Sequence, residues 1–239
     1  MRIGICLSLP ESHIQYLPKC LENIENQTRK PDVVSIHISG TVSVPSIASY
    51  SYPTVVRISP DPSTEGQGRN AAAAAIQEQV DILTFCSVKN VLHSRRLEMS
   101  ERHFKNSAID VFIHAFMDYS SLPSGQEKAS LPSGQEGAPW ILASLPGREG
   151  GSLSGTLHTQ CFTTTKDIMG PIKRLHLFMN GSAHIGVFTN RDISLYTRVW
   201  KQNPMIENMT MGEDSLYNYI LYTRGYAYGY SPDTLTYFV

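Results

Sequence analysis

The sequence predicts an α/β protein with an open, mostly parallel, twisted sheet flanked by helices, on three observations. Apolar runs of strand length recur at residues 3–9, 33–38, 54–58 and 82–85. Segments with apolar residues at three- and four-residue spacing, or rich in alanine, lie between them. Polar turns bearing Gly, Pro, Ser or Asn follow the strands, and in α/β folds such turns at strand carboxyl ends are where ligands bind.

Each element follows from its residues. Residues 3–9 are a short apolar run closed by Pro10, suited to a central strand. Ile14, Leu17, Leu21 and Ile24 then mark a helix face, and Pro18 is tolerated if the helix proper begins near it. Pro31-Asp32 turns the chain into a second strand that ends at Ser39-Gly40. A third strand, 54–58, is broken by Ser59-Pro60-Asp61-Pro62-Ser63. From Gln67 to Gln79 the alanine run predicts a helix whose small side chains let it lie close to a sheet. Asp81 precedes the fourth strand, which leads into the polar turn Ser87-Val88-Lys89-Asn90 and another helix beyond Ser94. Strand, helix, strand, strand, helix, strand is the first half of an open, mostly parallel sheet.

A further strand is expected over 109–116. Then Ser121-Leu122-Pro123-Ser124-Gly125-Gln126-Glu127 is repeated at Ser130-Leu131-Pro132-Ser133-Gly134-Gln135-Glu136 and echoed at Ser144-Leu145-Pro146-Gly147-Arg148-Glu149. This low-complexity segment is too polar for its own core and has too few copies for a solenoid. It reads as a mobile insertion in a surface loop, with a binding element as the alternative. Apolar character returns at Cys161-Phe162 and at 175–179, residues 184–188 read as a strand, and 193–200 as a helix or strand. A helix opens at Gly212-Glu213-Asp214-Ser215 and stops at Arg224-Gly225, a cation in its last turn and a glycine for the left-handed cap. Residues 226–239 are expected to form one or two edge strands around Pro232-Asp233.

Composition excludes several classes. A net charge of −1, with no basic patch, argues against nucleic acid and anionic membranes. The apolar start is short and runs into Glu11 and His13 rather than a cleavage site, so it reads as a strand, and no run approaches membrane-spanning length. The four cysteines, Cys6, Cys20, Cys86 and Cys161, lack metal-ligand spacing and read as reduced, packed thiols of a cytoplasmic protein. The glycosylation-like triplets at Asn26, Asn180 and Asn208 then have no meaning. The eight histidines show no paired zinc spacing, and His184 reads as a core or rim residue. Trp140 and Trp200 could stack on an acceptor sugar, but most aromatics at such positions are core.

The order of these pieces resembles the GT-A-type glycosyltransferases, in particular the large family 2 group. The matching residues are Tyr16-Leu17-Pro18-Lys19-Cys20-Leu21-Glu22-Asn23-Ile24 with Gln27-Thr28 and Pro31; Gly68-Arg69-Asn70; Asp81; Arg95-Arg96-Leu97-Glu98; Gly212-Glu213-Asp214-Ser215; and Arg224-Gly225-Tyr226. They span nearly all of the chain outside about 119–155. The resemblance implies a single GT-A-like, Rossmann-like domain over 1–239: a nucleotide-binding half (1–118), the repeat-containing insertion (119–155) and an acceptor-binding half (156–239). It implies a nucleotide-sugar donor linked through UDP or GDP, a glycan or other hydroxyl acceptor, and transfer with inversion.

Residue by residue, the resemblance places Ser39 and Arg69, with Asn70, at the nucleotide. Ser39 stands where the family commonly has an acidic residue that reads the base, and hydrogen-bonds less selectively. Helix capping by Arg69-Asn70 is the rival reading. Asp214 takes the position of the general base that removes the acceptor proton, and Glu213 either assists it or orients acceptor or loop. Acidic residues at a helix start also have an ordinary explanation in the helix dipole. The family's Asp-x-Asp, which holds Mn²⁺ or Mg²⁺ on the diphosphate, falls on Ser87, Val88, Lys89 and Asn90. No carboxylate remains there, and a hydroxyl, an amide and an ammonium suit a hard cation poorly. Lys89 then binds the diphosphate as a point charge, or is a solvated turn residue, or the chain binds nucleotide or glycan without turnover.

Overall fold

The computed structural model describes residues 1–41, 50–118, 193–209 and 213–238. The repeat segment, Trp140, Cys161-Phe162, 175–179, His184 with its strand, the Asn180 triplet and Gly212 lie outside them.

Among the described residues the chain forms β1 (Ile3–Pro10), a 3-10 turn (Glu11–Tyr16), α1 (Leu17–Glu25), β2 (Val33–Ser39), β3 (Thr54–Ser59), α2 (Glu65–Ala74), β4 (Ile82–Cys86), β5 (Val91–Leu92) and α3 (Arg96–Asn106). β6 (Val111–Asp118), β7 (Ser194–Tyr196), α4 (Thr197–Gln202), α5 (Glu213–Thr223) and β8 (Tyr228–Phe238) follow. One mixed sheet runs in the order β3-β2-β1-β4-β7-β6-β8-β5. β3, β2, β1 and β4 are mutually parallel, as are β6 and β8, whereas β7 is antiparallel to both its neighbours and β5 to β8.

Strand alternation divides the core into two layers. Ile3, Ile5, Leu7 and Leu9 of β1 and Val34, Ile36 and Ile38 of β2 pack with Leu17, Leu21 and Ile24 of α1 and Leu97 and Phe104 of α3. On the opposite face Cys6, Val33, Leu83 and Phe85 meet Ala72 and Ala73 of α2, Trp200 of α4 and Tyr217 and Leu221 of α5. Trp200 is thus a core residue. Cys6, Cys20 and Cys86 are buried thiols in no disulfide among the described residues, and burial pushes the pKa values of Cys6 and Cys20 upward, away from reactive thiolate.

Polar anchors fix the edges of this core. Asp32 and Asp81 accept backbone N–H bonds from Ile3 and Arg2, each at 2.7 Å, so both loops entering β2 and β4 clamp the start of β1. The Arg96 guanidinium, fully buried, donates to Phe85 O and Thr236 Oγ1 at 3.1 Å and ties α3 to β4 and β8.

Two expectations are corrected. α2 ends at Ala74, not Gln79: Ile76 N donates to Ala73 O at 3.1 Å, tightening the chain so that Ile76 packs against Gly4 and the sheet. β8 is an interior strand rather than an edge, lying between β6 and β5. The pairing steps from His114↔Ser231 to Ala115↔Thr234, and the bulge absorbs Pro232-Asp233, which cannot continue a regular ladder. The α5 stop is as expected, with Gly225 in the left-handed region at φ 81°.

Candidate functional site

The sheet order locates the site. From β1 the chain steps outward through β2 to β3, then returns to the other side of β1 as β4. The carboxyl ends of β1 and β4 therefore flank a topological switch point, the place where open α/β sheets leave a crevice for a ligand. The 3-10 turn Glu11–Tyr16 leaves β1 there, and the turn Ser87-Val88-Lys89-Asn90 leaves β4.

On the β1 side, Glu11 accepts from Thr41 N at 3.2 Å and so holds the loop after Ser39. Ser39 is buried at the end of β2, paired in register with Pro10 of β1 and Ser59 of β3. Two residues earlier on the same face, His37 is buried, its Nε2 3.0 Å from Ser59 Oγ. Burial pulls its pKa down and keeps the ring neutral.

The β4 turn closes with Asn90 N donating to Ser87 O at 3.1 Å. Val88 is buried in the core, which turns Lys89 outward. The Lys89 ammonium lies 5.7 Å from the centre of the Tyr16 ring, within cation–π range, and Tyr16 in turn meets His13 edge-on at 6.0 Å. The His13 pKa is lowered by burial and then by Lys89, against an opposing pull from Glu65. Asn90 is buried, and among the described residues its Nδ2 has no hydrogen-bonding partner.

α2 supplies the third wall. Thr64 and Gln67 form a reciprocal capping box, Thr64 Oγ1 accepting from Gln67 N at 3.2 Å and Gln67 Oε1 from Thr64 N at 2.9 Å. Gly68 lets the helix sit on the sheet: a Cβ there would fall 2.0 Å from Ser8 Oγ and 3.0 Å from His37 Nδ1. Arg69 is buried and ion-paired with Glu65 one turn back. Asn70 spends its whole side chain inside the protein. Nδ2 donates to Met205 O at 2.9 Å and Glu207 Oε1 at 2.8 Å, and Oδ1 accepts from Trp200 Nε1 at 3.0 Å and Met205 N at 2.8 Å. With both amide hydrogens and both lone pairs used, Asn70 braces the segment after α4 and has no donor left for a nucleotide.

α5 brings the acidic pair. Glu213 is buried in its first turn and Asp214 half-buried beside it. Burial raises the Glu213 pKa most; its own backbone N–H opposes, Asp214 and Glu65 raise it further, and Arg69 lowers it. Among the described residues no hydrogen bond or ion pair holds the Asp214 carboxylate; its backbone carbonyl accepts from Asn218 Nδ2 at 3.0 Å. Glu65 links the site, since its field acts on both His13 and Glu213.

Of the predicted residues, the fold thus gathers Ser39, Arg69, Ser87, Lys89 and Asn90 along the carboxyl edge of the parallel strands, with Glu213 electrostatically coupled to α2. Glu11, His13, Tyr16, His37 and Glu65 were missed. Glu11, His13 and Tyr16 lie in the turn after the Pro10 that closes the first strand, and Tyr16 also opens the first stretch that resembles the family. A depression of about 530 Å³ lined by Met1, Asp81, Tyr196, Arg198 and Lys201 lies at the amino ends of β1 and β4. Its cations are paired, Arg198 with Asp110 at 2.6 Å and Lys201 with Glu78 at 2.7 Å.

The divalent cation implied by the resemblance does not fit the β4 turn. Ser87, Val88, Lys89 and Asn90 offer one hydroxyl and one amide beside an ammonium, whereas Mg²⁺ and Mn²⁺ require charged oxygen ligands. No group of three or more His, Cys, Asp or Glu able to hold a metal occurs among the described residues.

No protein-family model matches the chain, and no curated protein matches it by sequence. Solved structures do. The crystal structure of S. aureus TarS 1-349 in complex with UDP aligns over 99% of this chain and 60% of its own, with 12% identity and a TM-score of 0.60. The UDP-GlcNAc complex of TarS 1-349 aligns over 99% and 58%, with 12% identity and a TM-score of 0.60. A longer TarS structure is covered over only 36% of its length, at 13% identity and a TM-score of 0.57. The chain thus spans less than two thirds of these proteins. The fold is GT-A-like, as the resemblance implied. No helix among the described residues is long and apolar enough to cross a membrane.

Proposed function

We propose that the chain is a glycosyltransferase that moves a sugar from a nucleotide-sugar donor to a hydroxyl acceptor with inversion. The observation that carries this reading is convergence. Residues from β1, β2, β4, α2 and α5 meet around the switch point, on a fold shared with a protein solved with UDP and with UDP-GlcNAc. Ser39 and Arg69 contact the nucleotide, while Asn70 supports them from behind. Ser87, Lys89 and Asn90 face the diphosphate. Asp214 takes the acceptor O–H proton as that oxygen bonds to the anomeric carbon, and the bond from this carbon to the diphosphate oxygen breaks. Glu213, buried and raised in pKa, lies next to Asp214, within the field of Arg69. Residues 1–118 form the nucleotide half, 156–239 the acceptor half, and 119–155 an insertion between them; the buried reduced thiols favour a cytoplasmic setting.

The missing carboxylates at the β4 turn favour a second reading, binding without turnover. Calorimetry with UDP and GDP, followed by a transfer assay on wild type and Asp214→Asn, separates the two. The enzyme reading expects nucleotide binding and a fall in transfer of about 10²- to 10⁴-fold in the variant at nearly constant nucleotide affinity. Binding with no transfer by wild type selects the second reading, and no binding of either nucleotide removes the enzyme reading.

A further inference from the structure

We infer that the switch-point crevice holds a diphosphate without a metal ion, the counter-charge coming from Lys89 seated on Tyr16 and the hydrogen bonds from Asn90 and His13. The inference rests on the nucleotide-binding reading above and specifies how the anionic part of the ligand is held.

Four observations converge. Lys89 leaves the carboxyl end of β4, and His13 and Tyr16 follow the carboxyl end of β1, so the cluster spans the two strands that flank the crevice. Lys89 is exposed, and among the described residues no carboxylate lies within ion-pair distance of it. Its ammonium is held at 5.7 Å over the Tyr16 ring, an arrangement that positions the charge without neutralising it. In the same turn the buried Asn90 keeps an amide donor without a partner among the described residues. Buried donors are normally satisfied, and one left unpaired in a turn at the switch point is suited to an acceptor supplied by a ligand that reorders the turn.

The chemistry matches one ligand class. A diphosphate presents several acceptor oxygens and gains negative charge when the sugar departs. A point charge on a flexible stem can follow that change, and an ammonium is a regular phosphate partner. His13 completes the donor set. The groups facing it are Lys89, Tyr16 and Glu65, and a diphosphate in the crevice adds an anion that favours its protonated, doubly donating form. The β4 turn, where the fold family puts two carboxylates, therefore carries the opposite charge.

The test is calorimetry of the full chain with UMP and UDP, and with GMP and GDP, each in EDTA and again with Mn²⁺. The inference expects the diphosphate to bind more tightly than the monophosphate in EDTA, with no more than about a twofold change on adding Mn²⁺. Lys89→Ala should weaken diphosphate binding by about 10- to 100-fold, the worth of a charge-assisted contact, and leave the monophosphate nearly unchanged; Lys89→Arg should keep most of the affinity. Diphosphate binding that requires Mn²⁺ overturns the inference and leaves the proposed function standing. So does a Lys89→Ala variant that binds diphosphate as wild type does, or that weakens mono- and diphosphate equally. If none of the four nucleotides binds, the proposed function falls and this inference with it.

Discussion

Two cation–asparagine pairs, one in α2 and one in the turn after β4, are in opposite states. Arg69-Asn70, in the second turn of α2, is buried and committed, the arginine ion-paired with Glu65 and the asparagine making four hydrogen bonds. Lys89-Asn90, in the β4 turn, pairs an exposed ammonium over an aromatic ring with a buried amide donor that has no partner among the described residues. The same residue types thus do different work. In the first pair Asn70 joins α2 to the segment after α4 while Arg69 pairs with Glu65 within the helix; in the second neither side chain has an ion pair or amide partner among the described residues.

The sharpest way to break that contrast is Asn70→Leu. The substitution keeps the branched side-chain shape but strips the partner from two buried donors, Trp200 Nε1 and Met205 N. Each buried polar group left unsatisfied costs about 1–3 kcal/mol, so denaturant unfolding should show a loss of about 2–5 kcal/mol. A loss below about 1 kcal/mol would mean that Asn70 is not the brace described here.

The contrast also explains what could be read from the sequence. Local signals carried the fold: apolar periodicity gave the strands, the alanine run gave α2, and Arg224-Gly225 gave the end of α5. They also placed Ser39, Arg69 and Lys89 at strand ends and at a helix start. Whether a polar residue is committed depends on partners far away in the chain. Asn70 meets Trp200, Met205 and Glu207, and nothing near residue 70 announces them. The Lys89–Tyr16–His13 cluster exists because β1 and β4 pair side by side, a consequence of strand order rather than of local pattern. β8 was misplaced for a related reason, since Pro232 reads as an edge signal until the bulge opposite His114 and Ala115 is seen.

Glu213 sharpens the comparison by titration. Its folded-state pKa is raised by burial, so its contribution to stability is fully present below the ordinary carboxylate range and is lost as pH rises through the folded value. Glu213→Gln mimics the protonated form. Melting temperatures of variant and wild type should therefore coincide near pH 4, and the variant should become the more stable as pH rises to 7. A constant offset across this range would show that Glu213 ionises as freely in the fold as in the unfolded chain. The gain should be smaller than the loss in Asn70→Leu, because the Glu213 carboxylate is partly compensated by its own backbone N–H and by Arg69.

The smallest effect is expected at the other pair. Lys89→Ala removes an exposed side chain with no ion pair among the described residues and one ring contact. An exposed cation–π contact contributes about 0.5–1 kcal/mol at most, and surface substitutions usually fall within about 0.5 kcal/mol. Unfolding free energy should therefore move by no more than about 1 kcal/mol. A larger loss would place Lys89 with Arg69 among the committed residues, and any weakening of diphosphate binding in that variant would then report on the fold of the β4 turn. A silent Lys89→Ala in unfolding, beside a damaging Asn70→Leu, separates the pair that holds the site together from the pair left open to a ligand.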